Sequence, residues 1–189
     1  LRDGRFSPIG EPRRPIGGIA VSPDGKTIAY IGGRVDGPSA HDLYLQALGG
    51  GTARNLTAAA LDRPVSHAQW IDNDSLMVVS AYGFASGLAI VGRDGRVGVL
   101  RRFPVHPSHF ARSTAGTIAF VGETTARAPE LWLVPADGAA HAVTRFNDKW
   151  ASTPIATPEF VKYKSADNVE IEAALLRPPA SSSTNPQRT

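Results

Sequence analysis

The sequence predicts an all-β protein: four-stranded antiparallel blades of a partial β-propeller, followed by a short β-hairpin. Three observations carry this. Leu43, Leu88 and Leu131 hold equivalent places at successive steps of 45 and 43 residues, a period that fits propeller blades of about 40–45 residues. Each unit then passes through the same order of turns. Finally, 19 glycines and 15 prolines punctuate short apolar runs throughout the 189 residues, which favours many short strands over long helices. Evenly spaced hairpins also occur in β-sandwiches; the repeated order of turn types favours the propeller.

In the first unit, Gly18 to Val21 and Thr27 to Ile31 flank Ser22-Pro23-Asp24-Gly25. Proline presets φ for a type I turn, aspartate bonds to nearby backbone and glycine takes the exit conformation, so the segment reads as a hairpin. His41 to Leu48, the turn Gly49-Gly50-Gly51 and Thr52 to Thr57 add two strands. The second unit repeats the order through Ser66 to Trp70, Asp72-Asn73-Asp74, Leu76 to Ser80, Gly87 to Val91, Arg93-Asp94-Gly95-Arg96 and Val97 to Leu100. The third runs from Phe110 to Arg112, then through Ser113-Thr114-Ala115-Gly116, Ile118 to Val121, Glu130 to Val134, Ala136-Asp137-Gly138 and His141 to Thr144. The blades therefore fall at about 10–58, 59–103 and 104–146.

Both ends of the repeat are informative. Arg2-Asp3-Gly4-Arg5 repeats the pattern of Arg93 to Arg96, which makes residues 1–9 the remnant of a preceding blade. Three blades and a remnant fall short of the ~4–8 that close a ring. A fragment is therefore expected, or completion by a partner or by self-association through the open edges. Residues 147–158 read as a linker. Over 159–179, Glu159 to Lys164 and Val169 to Leu176 meet across Ser165-Ala166-Asp167-Asn168 as a hairpin, with Val169, Ile171, Ala173 and Leu175 alternating along a half-buried strand. Residues 180–189, rich in serine, read as a flexible tail.

Composition narrows the function classes. There is no cysteine, which excludes disulfides and cysteine-ligated metals and leaves cytoplasm and periplasm equally open. No apolar run approaches the ~20 residues of a membrane span, and the chain is expected to be soluble with no membrane partner. Twenty basic against 17 acidic residues give a net charge of +3, with the arginines scattered, so nucleic acid is not an expected partner.

Several segments resemble the prolyl oligopeptidase family of serine peptidases, in which a β-propeller precedes an α/β-hydrolase domain. They are the turn at Ser22 to Gly25, Arg54-Asn55-Leu56-Thr57, Ala128-Pro129-Glu130-Leu131-Trp132, Val143-Thr144-Arg145-Phe146-Asn147 and the exit PEFVKYKSADNVEIEAALLRPP from Pro158 to Pro179. The blade motifs also resemble TolB-like propeller repeats. The resemblance implies that residues 159–179 open an absent hydrolase domain, normally with Asp-Gly at the turn where Asp167-Asn168 stands here. The family's chemistry needs a serine nucleophile in a G-x-S-x-G elbow. No serine here has that frame; Ser86 is out of register. No catalytic residue is therefore assigned, and the chain alone is expected to be inactive, with no cofactor.

Among the five histidines, His106 and His109 sit at a spacing that a helix can use for a metal, but Pro107 places them in an inter-blade loop and no metal site is expected. His41, His67 and His141 read as packed or hydrogen-bonded, and Trp70 and Trp132 as fillers between blades. Antiparallel alternation puts loops 34–40, 82–86 and 123–129, and inter-blade loops 57–64 and 102–107, on one face. If the chain leaves the last blade toward a hydrolase domain, that face looks toward the active-site cavity. Arg34, Tyr82, Phe84 and Arg127 are the candidates for contact with a peptide there, the aromatics by burial and the arginines by pairing with a carboxylate. The expected role is a substrate-gating propeller portion of a peptidase acting on short peptides, partnered by the hydrolase domain of its parent chain. The alternative is a non-enzymatic TolB-like platform for protein interaction.

Overall fold

The computed structural model describes residues 4, 6–10, 16–37, 39–150, 153 and 156–177. Of the remnant hairpin expected within 1–9, residues 1–3 and 5 lie outside the described residues and 6–9 form no strand; the tail at 180–189 lies wholly outside them. Strands β1 (Ile16–Val21), β2 (Thr27–Gly33), β3 (His41–Ala47) and β4 (Arg54–Asn55) form one antiparallel sheet in that order. A second sheet holds β5 (Val65–Trp70), β6 (Ser75–Tyr82) and β7 (Ala85–Gly92). A third holds β8 (His106–Arg112), β9 (Ile118–Thr124), β10 (Arg127–Val134) and β11 (His141–Ala142). After a 3-10 turn at Asp148–Trp150, β12 (Glu159–Lys164) and β13 (Glu170–Leu175) make a separate hairpin. The sheets are propeller blades, and the ring they begin is not closed among the described residues.

Local chemistry sets the turns. Ser22 Oγ donates to Asp24 Oδ1 at 2.6 Å and accepts from the Thr27 amide at 3.0 Å, while Gly25 sits at φ 68°. Ser113 repeats this in the third blade, accepting from the Gly116 amide on its carbonyl at 3.0 Å and from the Thr117 amide on its hydroxyl at 3.1 Å. A serine before each turn thus satisfies backbone donors that a hairpin mouth leaves open. In the exit hairpin Asn168 takes φ 66°, a conformation that asparagine tolerates without a glycine.

Packing joins the blades face to face. Ile31, Leu43, Leu45, Val65, Trp70, Leu76, Val78 and Val91 form the core between the first and second, and Trp70 Nε1 donates to the Ala20 carbonyl at 3.1 Å. Met77, Val79, Leu88, Val105, Phe110, Phe120 and Trp132 form the core between the second and third. Alternate residues of β6 therefore serve opposite cores, as period-2 strands require. On β1 the outer side chains of Ile19 and Val21 stay 70% and 54% exposed.

The structure departs from the sequence expectations in four places. Gly83 at φ 55° closes the β6–β7 turn in two residues, so the expected loop 82–86 is mostly strand. The β9–β10 turn is likewise only Thr125 and Ala126, and Pro129 lies inside β10 where the register shifts. His106, Pro107 and His109 belong to β8 rather than to a loop, again at a shift in register. At Pro129 a bulge absorbs the missing N–H, whereas Pro107 pairs with Gly122 on β8, the edge strand of its sheet, where proline is tolerated. Lastly, the expected strand 97–100 is reduced to isolated bridges, Val91 to Val97 and Leu88 to Arg101.

Candidate functional site

The exit hairpin folds back on the second blade. Phe160 of β12 meets Phe84 of the β6–β7 turn with ring centroids 5.2 Å apart, and between them and the loops opens a cleft of about 860 Å³. Its blade wall is Arg63, Tyr82, Phe84, Arg102 and His106; its hairpin wall is Phe160, Lys162, Glu170 and Glu172. Two-residue closure matters here. Gly83 has no side chain, and a Cβ there would stand 2.6 Å from Glu172 Oε2, so glycine lets the hairpin come close. Arg102 lies over the Tyr82 ring, 4.4 Å from its centroid. Lys162 Nζ holds Glu170 and Glu172 at 3.0 and 3.1 Å, and both contacts raise its pKa.

Of the four residues singled out from the sequence, Tyr82 and Phe84 thus meet in one cleft. Arg34 lies elsewhere: its Nε and Nη2 donate to Asp42 at 2.8 and 3.1 Å, and its Nη1 donates to Asp62 at 3.0 Å. Asp42 is fully buried. Burial pushes its carboxyl pKa upward, yet the hydrogen bonds from Arg34 and Asn55 outweigh that and hold it below its ordinary value. Those same carboxylates keep Arg34 charged. Arg127 opens β10 and lines a different cleft of about 390 Å³ with Glu130, Trp132, Thr144 and Trp150. Arg63, Arg102 and Phe160 are the residues sequence reasoning missed. The inter-blade loops it named contain both arginines, but only the position of the hairpin sets them apart from other surface arginines.

Two further groups bear on chemistry. His67 of β5 and His109 of β8 approach with centroids 5.4 Å apart, and His67 packs edge-on against Phe110. Burial lowers the His67 pKa, the neighbouring His109 lowers it further, and a hydrogen bond with the Phe110 backbone opposes both. Among the described residues no group of three or more histidines, cysteines or carboxylates comes together to hold a metal ion. Ser86 Oγ donates to the Pro107 carbonyl at 2.6 Å, and a carbonyl oxygen is not a base that takes its proton. Among the described residues no helix is long and apolar enough to cross a membrane.

Fold and cleft together define the class: a run of β-propeller blades with a hairpin docked on the inter-blade face. In particular, the chain is similar to Pyrococcus horikoshii acylaminoacyl peptidase, at 20% identity and a TM-score of 0.61 over 84% of this chain and 24% of that one. It is also similar to the β-propeller domain of the Trilobed protease from Pyrococcus furiosus, at 20% identity and a TM-score of 0.50 over 69% and 38%. An oligogalacturonate lyase in complex with manganese matches at 16% identity and a TM-score of 0.54 over 86% and 48%. This chain therefore spans about a quarter of the acylaminoacyl peptidase. No family model and no curated protein matches it. Peptidases and a lyase share these blades, so the likeness establishes the fold and not a reaction.

Proposed function

We propose that this chain is the substrate-gating propeller portion of a prolyl oligopeptidase-like serine peptidase, whose hydrolase domain follows the hairpin β12–β13. The observation that carries the reading is the docking of that hairpin, through Phe160 on Phe84, against the face that holds the inter-blade loops. A chain leaving from that face would set the next domain over the cleft, and the blades would then admit only short or extended peptides. Tyr82 and Phe84 supply apolar contact for such a peptide. The nucleophile, acid and base belong to the domain beyond.

The test is to read and express the gene continuing past Thr189 and treat both products with a fluorophosphonate. Labelling of the longer product at a G-x-S-x-G serine, with none of the 189-residue chain, is the expected result. Labelling of the short chain, or a stop codon directly after Thr189, sinks the reading; the stop codon would favour a non-enzymatic interaction platform.

A further inference from the structure

One wall of the cleft is basic. Arg63 and Arg102 both line it, and neither forms an ion pair among the described residues. The two glutamates of the opposite wall are already held by Lys162. Stacking on Tyr82 orients the Arg102 guanidinium while its N–H edges make no hydrogen bond among the described residues. Beside the arginines, the rings of Phe84 and Phe160 are 50% and 57% exposed, which leaves apolar surface open at the cleft. Guanidinium groups pair with carboxylates through parallel N–H bonds, and an exposed aromatic pair takes an apolar side chain.

We infer that this cleft is a carboxylate-recognition site, in which Arg63 and Arg102 take the carboxylate of a peptide whose apolar or aromatic side chain packs on Phe84 and Phe160. The inference rests on reading the cleft as a peptide site and adds the chemical class of its ligand. A carboxylate comes either from a free C-terminus or from an acidic side chain, and both offer the same two oxygens.

The test is calorimetric titration of the chain at low salt with acetyl-Ala-Phe, its C-terminal amide, and acetyl-Glu-Phe-amide. The acid is expected to bind about fivefold more tightly than the amide, the upper end of what an exposed ion pair contributes. Arg63→Gln and Arg102→Gln should each weaken the acid by about fivefold and leave the amide unchanged. Arg96→Gln, on the hairpin turn after β7, should change neither. Because Arg102 also stacks on Tyr82, Arg63→Gln with an unaltered melting curve is the deciding variant. Tighter binding of acetyl-Glu-Phe-amide than of acetyl-Ala-Phe supports a side-chain carboxylate; the reverse order supports the C-terminus. Binding of the uncharged amide equal to that of both carboxylates, no binding of any of the three, or equal effects of Arg63→Gln and Arg96→Gln overturns the inference. A fluorophosphonate-reactive parent with a cleft indifferent to carboxylate would remove this inference and leave the peptidase reading standing.

Discussion

The backbone amide of Leu43 donates to the hydroxyl of Thr57 at 2.9 Å, and that hydroxyl turns on to the buried carboxylate of Asp42 at 3.4 Å. The third blade repeats the device: the Leu131 amide donates to Thr144 Oγ1 at 2.9 Å, and Thr144 donates to Glu130. An acid and a leucine on the third strand are thus tied to a threonine just past the fourth. The second blade has Gly87-Leu88 at this place and ties Leu88 instead to Arg101, by backbone bonds of 3.0 and 2.7 Å.

Removing the first of these ties leaves a buried donor without its partner. Thr57→Val keeps the shape but strands the Leu43 amide, while Asp42 Oδ1 keeps its bond from Arg34; the change should cost about 1–3 kcal/mol of stability. Thr144→Val, at a more exposed tie where water can replace the hydroxyl, should cost less. Urea unfolding followed by tryptophan fluorescence gives both values, and an equal or larger loss at Thr144 would contradict the account.

The blades should weaken in acid in two separate windows. His67 has its pKa lowered from 6.5, so below that pH the unfolded chain binds more protons and stability falls as pH drops through the folded-state value. Asp42 is lowered from 3.8, so its contribution is intact above that pH and lost below it. Melting temperature against pH should show both declines. His67→Phe, which keeps a ring against Phe110, should flatten the upper window and leave the lower.

Two glycines of the second blade should be costly to replace for different reasons. Gly83→Ala places a Cβ at φ 55° but against the movable end of Glu172, so its cost should stay near the ~1–2 kcal/mol of the left-handed region. Gly87 has an ordinary φ, yet a Cβ there would meet the Arg101 carbonyl at 2.6 Å and Leu100 at 3.1 Å. Backbone cannot step aside so cheaply, and Gly87→Ala should cost about 1–3 kcal/mol and open the Leu88 to Arg101 bridge. Amide hydrogen exchange at Leu88 and Arg101 checks it.

Docking of the hairpin should depend on one aromatic pair. Phe160→Ala removes a contact of about 0.5–1.5 kcal/mol and should speed protease cleavage between Phe146 and Phe160 while the melting of the blades is unchanged. Cleavage at the wild-type rate would show that the hairpin is held by other contacts.

The residues that carry local geometry were legible in advance. Ser22 to Gly25, Ser113 to Gly116 and Asp167-Asn168 dictate turns because each turn is satisfied by its own side chains. The spacing of Leu43, Leu88 and Leu131 sets the blade period: Leu43 and Leu88 each face a core between blades, and Leu131, at the same place in the third blade, is 40% exposed. Less was legible where proline usually signals a break: Pro129 continues a strand at a bulge, and Pro107 continues one at the edge of its sheet.

What the sequence determined by itself is therefore the class: an all-β chain of propeller blades with a hairpin at its exit, written in turns a few residues long. What only the tertiary structure decided is which side chains meet. Arg34 was spent on Asp62, 28 residues away, Arg102 came to lie on Tyr82, and Phe84 met Phe160 across 76 positions. Such pairs follow from how blades stack and where a hairpin lands, and no pattern of neighbouring residues encodes that. For the cleft this left Arg63 and Arg102, rather than Arg34 and Arg127, beside the two aromatics.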